Sequence, residues 1–290
     1  MGAQQRGFVF LLIAIAGGLL ATSSTRASDR NPLVSRAAVV LDSESGKLLF
    51  AKNPDQRMFP ASTTKVMTAV MAIESGRLDE IVTVRRTDTY VVPSIIGLIA
   101  GETITLRDLL YGLMLRSGND AARAIARHLA GSQEEFAKLM NERLRQLGCR
   151  GTHFVNAHGL PHRYHYTTAR DLGTIMRHAM DLPEFRDIIA TRQYRSESSR
   201  KNRVFRNKNK LLNLYEGTLG GKPGYTRAAQ QTLVASAQRD GSEVVIVCLH
   251  SIGKSLWSDA MHLFDLGFER LEDRQALSST PPGTTAKQQR

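Results

Sequence analysis

The stretch "TLGGKPGYTRAAQQTLVASAQRDGSEVVIVCLH", residues 218–250, divides into three extended runs: "TLGGKPGYTRAA", "QTLVASAQRDG" and "SEVVIVCLH". Asp240-Gly241 supplies a hairpin turn between the second and third, so the runs predict three consecutive antiparallel strands. Directly after them, "SLWSDAMHLFDLGFERL" (255–271) takes up a helical period. The other end of the chain has the same ingredients. "AAVVLDSESGKLLFAKN" (37–53) reads as a strand hairpin about a Ser-Gly turn. "FPASTTKVMTAVMAIESG" (59–76) reads as a helix: Val66, Met67, Val70 and Ile73 share one face, and Gly76 can end it.

The middle of the chain is helical. "LRDLLYGLMLRSGNDAARAIARHLAG" (106–131) is helix, break, helix, with the break at Ser117-Gly118 and Asn119 or Asp120 as the next cap. "SQEEFAKLMNERLRQLG" (132–148) opens with Ser132 and Glu135 at capping-box spacing, and "TTARDLGTIMRHAM" (167–180) is a further helix. Strands and a helix at both ends with helices between predict an α+β fold. Its antiparallel sheet is flanked by helices, and an all-helical lobe is inserted over about 85–185.

At 290 residues and 42% hydrophobic, the chain can bury a full core. The apolar run Phe8 to Ala21, preceded by Arg6 and followed by "ATSSTRAS", is shorter than the roughly 20 residues a spanning helix needs. It predicts a secretory signal over residues 1–27, and a product that is soluble in the periplasm or cell-wall space after cleavage. The alternative is an uncleaved N-terminal membrane anchor. Residues 28–272 would be the folded domain. Residues 273–290, which end in "SSTPPGTTAKQQR", have nothing to bury and are expected to be disordered. Cys149 follows a helix-ending glycine and Cys248 lies in an apolar strand, so two buried thiols are expected ahead of a disulfide.

The net charge of +12 is concentrated in "RQYRSESSRKNRVFRNKNK" (192–210), where eight basic residues face Glu197 alone. Such a run is usually a solvated, mobile hairpin or loop. In an exported protein the functional alternative is contact with an anionic cell-envelope polymer; nucleic acid is not expected. His158, His162 and His165 in "HGLPHRYHY" lie in a Gly/Pro loop without a neighbouring carboxylate or thiolate, so no metal is expected there.

Three places carry chemistry. In "ASTTK", Ser62 and Lys65 stand at i and i+3 on a helix start and can touch. Serine attacks a carbonyl when something takes its proton, and a lysine can do so when burial and nearby cations lower its pKa. Lys222 supplies such a cation and attracts an anionic substrate group. Ser117 is suited to relay a proton to a leaving amine, and Asn119 to orient Lys65 and a substrate amide. Each motif alone is weak; the three in this order, each at a structural boundary, are strong.

Ser-x-x-Lys, Ser-Asp-Asn and Lys-Thr-Gly, in that order, are the motifs of penicillin-binding proteins and related β-lactamases, and Ser62 to Lys65, Ser117-Gly118-Asn119 and Lys222-Pro223-Gly224 resemble them. "ASTTKVMTA", "TLRDLLYGLMLRSGNDAA", "THFVNAHGLPHRYHYTTARDL" and "GGKPGYT" resemble blocks of the low-molecular-mass penicillin-binding proteins, the D-alanyl-D-alanine carboxypeptidases, over Asn31 to Leu271. The resemblance implies a fold of the DD-peptidase and β-lactamase type. It makes Ser62 the acyl-ester nucleophile, Lys65 its base, Ser117 and Asn119 the second motif, and Lys222 the carboxylate-binding lysine. Lys222, Gly224 and Tyr225 would form the substrate-binding strand, and the backbone N–H groups of Ser62 and Tyr225 the oxyanion hole. The implied activity is cofactor-free, serine-type carboxypeptidase action on peptidoglycan stem peptides, with covalent binding of β-lactam antibiotics. The alternatives are DD-endopeptidase action, a β-lactamase, or a non-catalytic wall-binding module. One position departs from the pattern: Pro223 stands where the family has threonine, so a hydroxyl that grips the substrate's terminal carboxylate is missing.

Overall fold

The strand segments 37–41 and 244–249 are apolar throughout and rich in β-branched residues. This marks a sheet covered on both faces. The computed structural model describes residues 33–279 and shows that arrangement. β1 (Ala37–Asp42) and β2 (Leu48–Lys52) form the expected N-terminal hairpin. A 3₁₀ turn, Ala61–Thr64, runs directly into α1 (Lys65–Glu74). β3 (Ile81–Thr83), α2 (Arg86–Thr89) and β4 (Thr103–Thr105) follow, with β3 and β4 paired as a small ribbon.

The helical stretch comprises α3 (Leu106–Arg116), α4 (Asn119–Ala130), α5 (Gln133–Gln146), α6 (Ala169–Met180) and α7 (Pro183–Ala190). β5 (Gln193–Ser196) and β6 (Arg203–Arg206) make a second ribbon, and α8 (Leu211–Leu214) leads back to the sheet. β7 (Thr218–Thr226), β8 (Gln230–Arg239) and β9 (Ser242–Ser251) are the three predicted antiparallel strands, and α9 (Ser255–Ser279) closes the described chain. The order β2-β1-β9-β8-β7 brings the first hairpin against the last strand.

Alternation along the strands divides the interior into two layers. Val39, Val245 and Val247 point to a core shared with α1, α3 and α6. Ala38, Val40, Ile246 and Cys248 point to the opposite core, where Leu263, Phe264 and Phe268 of α9 lie. Both cysteines are buried and free, as expected.

Three expectations need correction. α6 packs on β1 and β9, so it belongs to the helical layer on the sheet although it falls within the 85–185 lobe. The last helix runs to Ser279, because its period continues past Leu271; the expected disordered tail starting at residue 273 therefore begins too early. The basic segment 192–210 is no mobile loop. Its ribbon buries Ser196, Arg203 and Phe205, an alternation hidden by the charges between them. The predicted signal, residues 1–27, lies outside the described residues.

Candidate active site

Positive φ marks two points of the site. Ala61, just before Ser62, has φ 50°, and Ser117 closes α3 at φ 63°, ψ 35°. Non-glycine residues persist there only when their surroundings over-determine them. The surroundings of Ala61 are visible. Val155 N–H donates to His165 Nδ1 over 3.1 Å, which leaves the proton of the neutral ring on Nε2. That nitrogen meets Thr64 Oγ1 at 2.9 Å, and Thr64 Oγ1 donates to the Ala61 carbonyl at 2.9 Å. On the same carbonyl rests Gly159, φ 89°, where an added Cβ would sit 1.8 Å from the oxygen. Burial, more than neighbouring charge, holds the pKa of His165 down at about 3, so the ring stays neutral.

The turn from 3₁₀ to α geometry directs Ser62 and Lys65 to the same side. Lys65 Nζ lies 3.1 Å from Ser62 Oγ, 2.7 Å from Asn119 Oδ1 and 2.5 Å from the His158 carbonyl. The last two groups only accept. A neutral amine bound to both therefore presents its lone pair to the serine hydroxyl. Lys65 is fully buried, and burial is the first cause that pushes its pKa well below the usual lysine value. The charges of Lys222 and Lys208 push the same way, and Asp120 opposes them.

The helix break was expected to use Asn119 or Asp120 as a cap, but Gly118 holds that position without a side-chain bond. The two side chains have other partners. Asn119 spans Lys65 and, through Nδ2, the Val92 carbonyl at 2.8 Å. Asp120 accepts the backbone N–H groups of Ile96, Gly97 and Leu98. It thereby fixes the segment around Pro93 and Ser94 as one wall of the site. At the next break, Ser132 accepts from Glu135 N–H as the capping-box spacing predicts.

The opposite wall is β7, the edge strand of the sheet. Lys222 on it is buried, and burial followed by the Lys208 charge brings its pKa down to about 7. At Gly224 a Cβ would stand 2.7 Å from Ser62 N, so only glycine lets the strand lie against the serine. Pro223 is compatible with an edge strand. The two walls enclose a cavity of about 400 Å³ lined by Ser62, Ser117, Asn119, Lys222, Gly224 and Tyr225, with Lys65 bound behind Ser62. All the residues picked from the sequence therefore meet. Lys208 also lines this cavity, its Nζ 3.1 Å from Ser94 Oγ, and sequence reading passed it over as one more charge in the basic run. Asp120, Gly159 and His165 were likewise missed as supports, since their partners are distant in sequence.

The model of the D-alanyl-D-alanine carboxypeptidase family matches residues 23–252. D-alanyl-D-alanine carboxypeptidase DacB2 of Mycobacterium tuberculosis is 36% identical over 236 residues, 79% of this chain and 81% of that protein. A D-alanyl-D-alanine carboxypeptidase of Streptomyces sp. K15 is 34% identical over 88% of this chain and 94% of its own. Among solved structures, a serine-to-alanine mutant of the Streptomyces K15 DD-transpeptidase superposes with a TM-score of 0.80 at 33% identity. That match covers 83% of this chain and 100% of that one.

Proposed function

Because this chain belongs to the D-alanyl-D-alanine carboxypeptidase family, we propose that it cuts the terminal D-alanyl-D-alanine bond of peptidoglycan stem peptides through an acyl-enzyme on Ser62. The observation that carries this reading is Lys65: buried, its pKa pushed well below the usual lysine value by burial and by Lys222, and 3.1 Å from Ser62 Oγ. Lys65 takes the hydroxyl proton as Ser62 Oγ bonds to the scissile carbonyl carbon. The oxyanion that forms accepts from the backbone N–H groups of Ser62 and Tyr225. Two such donors are typically worth about 3 kcal/mol each. Ser117 passes the proton to the departing D-alanine amine as the C–N bond breaks. Water, deprotonated by the again neutral Lys65, then hydrolyses the ester and restores Ser62.

Lys222 holds the substrate's terminal carboxylate. Asn119 keeps Lys65 in place through Oδ1, and the second proton of its Nδ2 is left for the substrate amide. Residues two apart on a strand present their N–H positions to the same side. If Tyr225 N–H faces the cavity, the nitrogen of Pro223 does too, and the proline removes no bond of the β7–β8 ladder. What is lost is the hydroxyl, which weakens the grip on the carboxylate and leaves the proton path intact.

The same nucleophile would open a β-lactam ring and stay acylated. Among the described residues no Asp or Glu lines the cavity, so no carboxylate stands ready to activate water against that ester. This favours a penicillin-binding peptidase over a β-lactamase. Among the described residues no helix is long and apolar enough to cross a membrane. We place the enzyme outside the cytoplasmic membrane, exported by its apolar leader, where its polymer substrate and anionic envelope polymers are.

A fluorescent penicillin tests the reading. The protein should label slowly and stably, Ser62→Ala should not label, and wild type should release D-alanine from a D-Ala-D-Ala-terminated peptide. Labelling of Ser62→Ala, or folded wild type that neither labels nor releases D-alanine, would overturn it.

A further inference from the structure

The β5–β6 ribbon has two faces of opposite character. Register pairs Gln193 with Arg206, Tyr194 with Phe205, Arg195 with Val204 and Ser196 with Arg203. The inner face is fixed in several ways. The Tyr194 ring stacks on Tyr111 with centroids 3.6 Å apart. Phe205 is buried, and Arg203 makes a buried ion pair with Glu102 at 2.8 Å. Arg203 also donates to the Ile96 and Gly97 carbonyls, and Ser198 Oγ donates to Glu102 Oε2 at 2.7 Å.

The outer face carries Arg195 and Arg206 as diagonal neighbours, on the order of 7 Å apart by strand geometry. Lys201 stands at the loop end. Among the described residues none of these three side chains meets a carboxylate, and Arg206 reaches only Gln193 Oε1 at 3.2 Å. Like charges held on one face of a rigid ribbon repel, and folding gains nothing from them. Free mobile lysines would have served solubility equally well.

Where the ribbon lies supplies the second observation. Arg116, Arg195, Lys201 and Arg206 line a cavity of about 610 Å³ at the edge of the ribbon, together with Ile96 and parts of the inner-face Arg203 and Phe205, and Ile95 borders it too. Pro93 and Ser94, immediately before those two isoleucines, line the catalytic cavity. One short segment, 93–96, therefore borders both. The cations continue across it, since Lys208, two residues beyond Arg206, reaches Ser94 and the catalytic cavity.

We propose that Arg195, Lys201 and Arg206 form a track for carboxylates carried by the peptidoglycan strand whose stem peptide occupies the catalytic cavity. This rests on the function proposed above and names the form of its substrate: a polymer bearing free carboxylates beyond the peptide being cut. Continuity with the catalytic cavity favours the substrate polymer over a separate phosphodiester polymer. Guanidinium groups match carboxylates bidentately, and a fixed row of them binds a repeating anion with little ordering cost on the protein side.

The test compares wild type with Arg195→Gln/Lys201→Gln/Arg206→Gln, leaving Arg203 in place, on uncrosslinked pentapeptide-bearing peptidoglycan and on a short D-Ala-D-Ala peptide. The variant should show KM on the polymer raised about ten-fold at low ionic strength, with the difference fading at about 0.5 M salt as the charges are screened. Kinetics on the short peptide and penicillin labelling should not change. Polymer whose free carboxylates are converted to amides should give wild type the variant's KM. Co-sedimentation with insoluble peptidoglycan reads the track without turnover, so loss of the enzymatic reading would not hide it. Equal KM and equal sedimentation for variant and wild type on native polymer overturn the proposal. So does a polyglycerol phosphate that displaces wild type from the peptidoglycan while amidated polymer binds as well as native.

Discussion

In the proposed mechanism the buried lysines Lys65 and Lys222 have opposite duties, and pH separates them. Lys65 has to be neutral to accept the Ser62 proton, so kcat/KM should rise with pH through its lowered pKa. Lys222 has to be charged to hold a carboxylate, so kcat/KM should fall as pH rises through about 7. The profile is then bell-shaped. In Lys222→Arg the guanidinium stays protonated, so the alkaline limb should vanish from kcat/KM measured on the short peptide while the acid limb stays. An alkaline limb unchanged in that variant would assign it to another group. The same lysine acts on stability. Its pKa is about 7 folded against 10.5 as the ordinary value, so the unfolded chain binds the extra proton between these values and stability rises with pH across that window. Below pH 7 the whole penalty stands, so Lys222→Met should raise Tm more at pH 6 than at pH 9.

At the scale of elements, the 3₁₀ turn before α1 is held by a loop from a distant part of the chain. His165 and Gly159 grip the Ala61 carbonyl, one through the Thr64 hydroxyl and the other by direct contact. Displacement of a nucleophile by about 1 Å can cost on the order of 100-fold in rate. Thr64→Val keeps the shape and deletes the hydroxyl, so it should lower the acylation rate constant by about 10- to 100-fold with little change in KM. Thr64→Ser should restore most of the loss. Stopped-flow acylation by a chromogenic β-lactam reads both, and equal rates for the valine and serine variants would remove the strut from the account. Histidines 158, 162 and 165 stood out in the sequence as a cluster; the fold makes one of them, His165, a neutral spacer beneath the turn that carries Ser62.

At the scale of the molecule, the ribbon is tied to the β3–β4 region by a buried ion pair. Arg203→Gln would remove the ion-pair partner of the fully buried Glu102, at a cost of about 3–5 kcal/mol. Arg203→Gln/Glu102→Gln removes both charges and should recover most of that loss. Urea unfolding of wild type, Arg203→Gln, Glu102→Gln and the double variant measures the coupling; additive losses would show that the two side chains act independently. The contrast with Arg195 and Arg206, whose neutralisation should leave stability within about 0.5 kcal/mol, separates the structural cation of the run from the surface ones.

Patterns that are local in the chain were legible without a structure. The β-branched runs of the sheet, the turn at Asp240-Gly241, the break at Ser117-Gly118 and the i, i+3 placement of Ser62 and Lys65 follow from backbone sterics and side-chain period, which act over a few residues. The motifs therefore pointed to the residues that line the candidate site, and Pro223 stood out against them. Contacts between distant segments were not legible, because nothing in local periodicity states which loop will meet which turn. Which of eight basic residues in 192–210 would be buried was decided by the partner, Glu102, about 100 positions away. The same holds for Asp120 fixing the wall at Ile96, for Lys208 entering the cavity, and for the loop that holds Ala61. The sequence determined the sheet, the helices and the groups proposed to react. Tertiary packing decided how those groups are held, because burial and charge pairing depend on what else arrives at the same place.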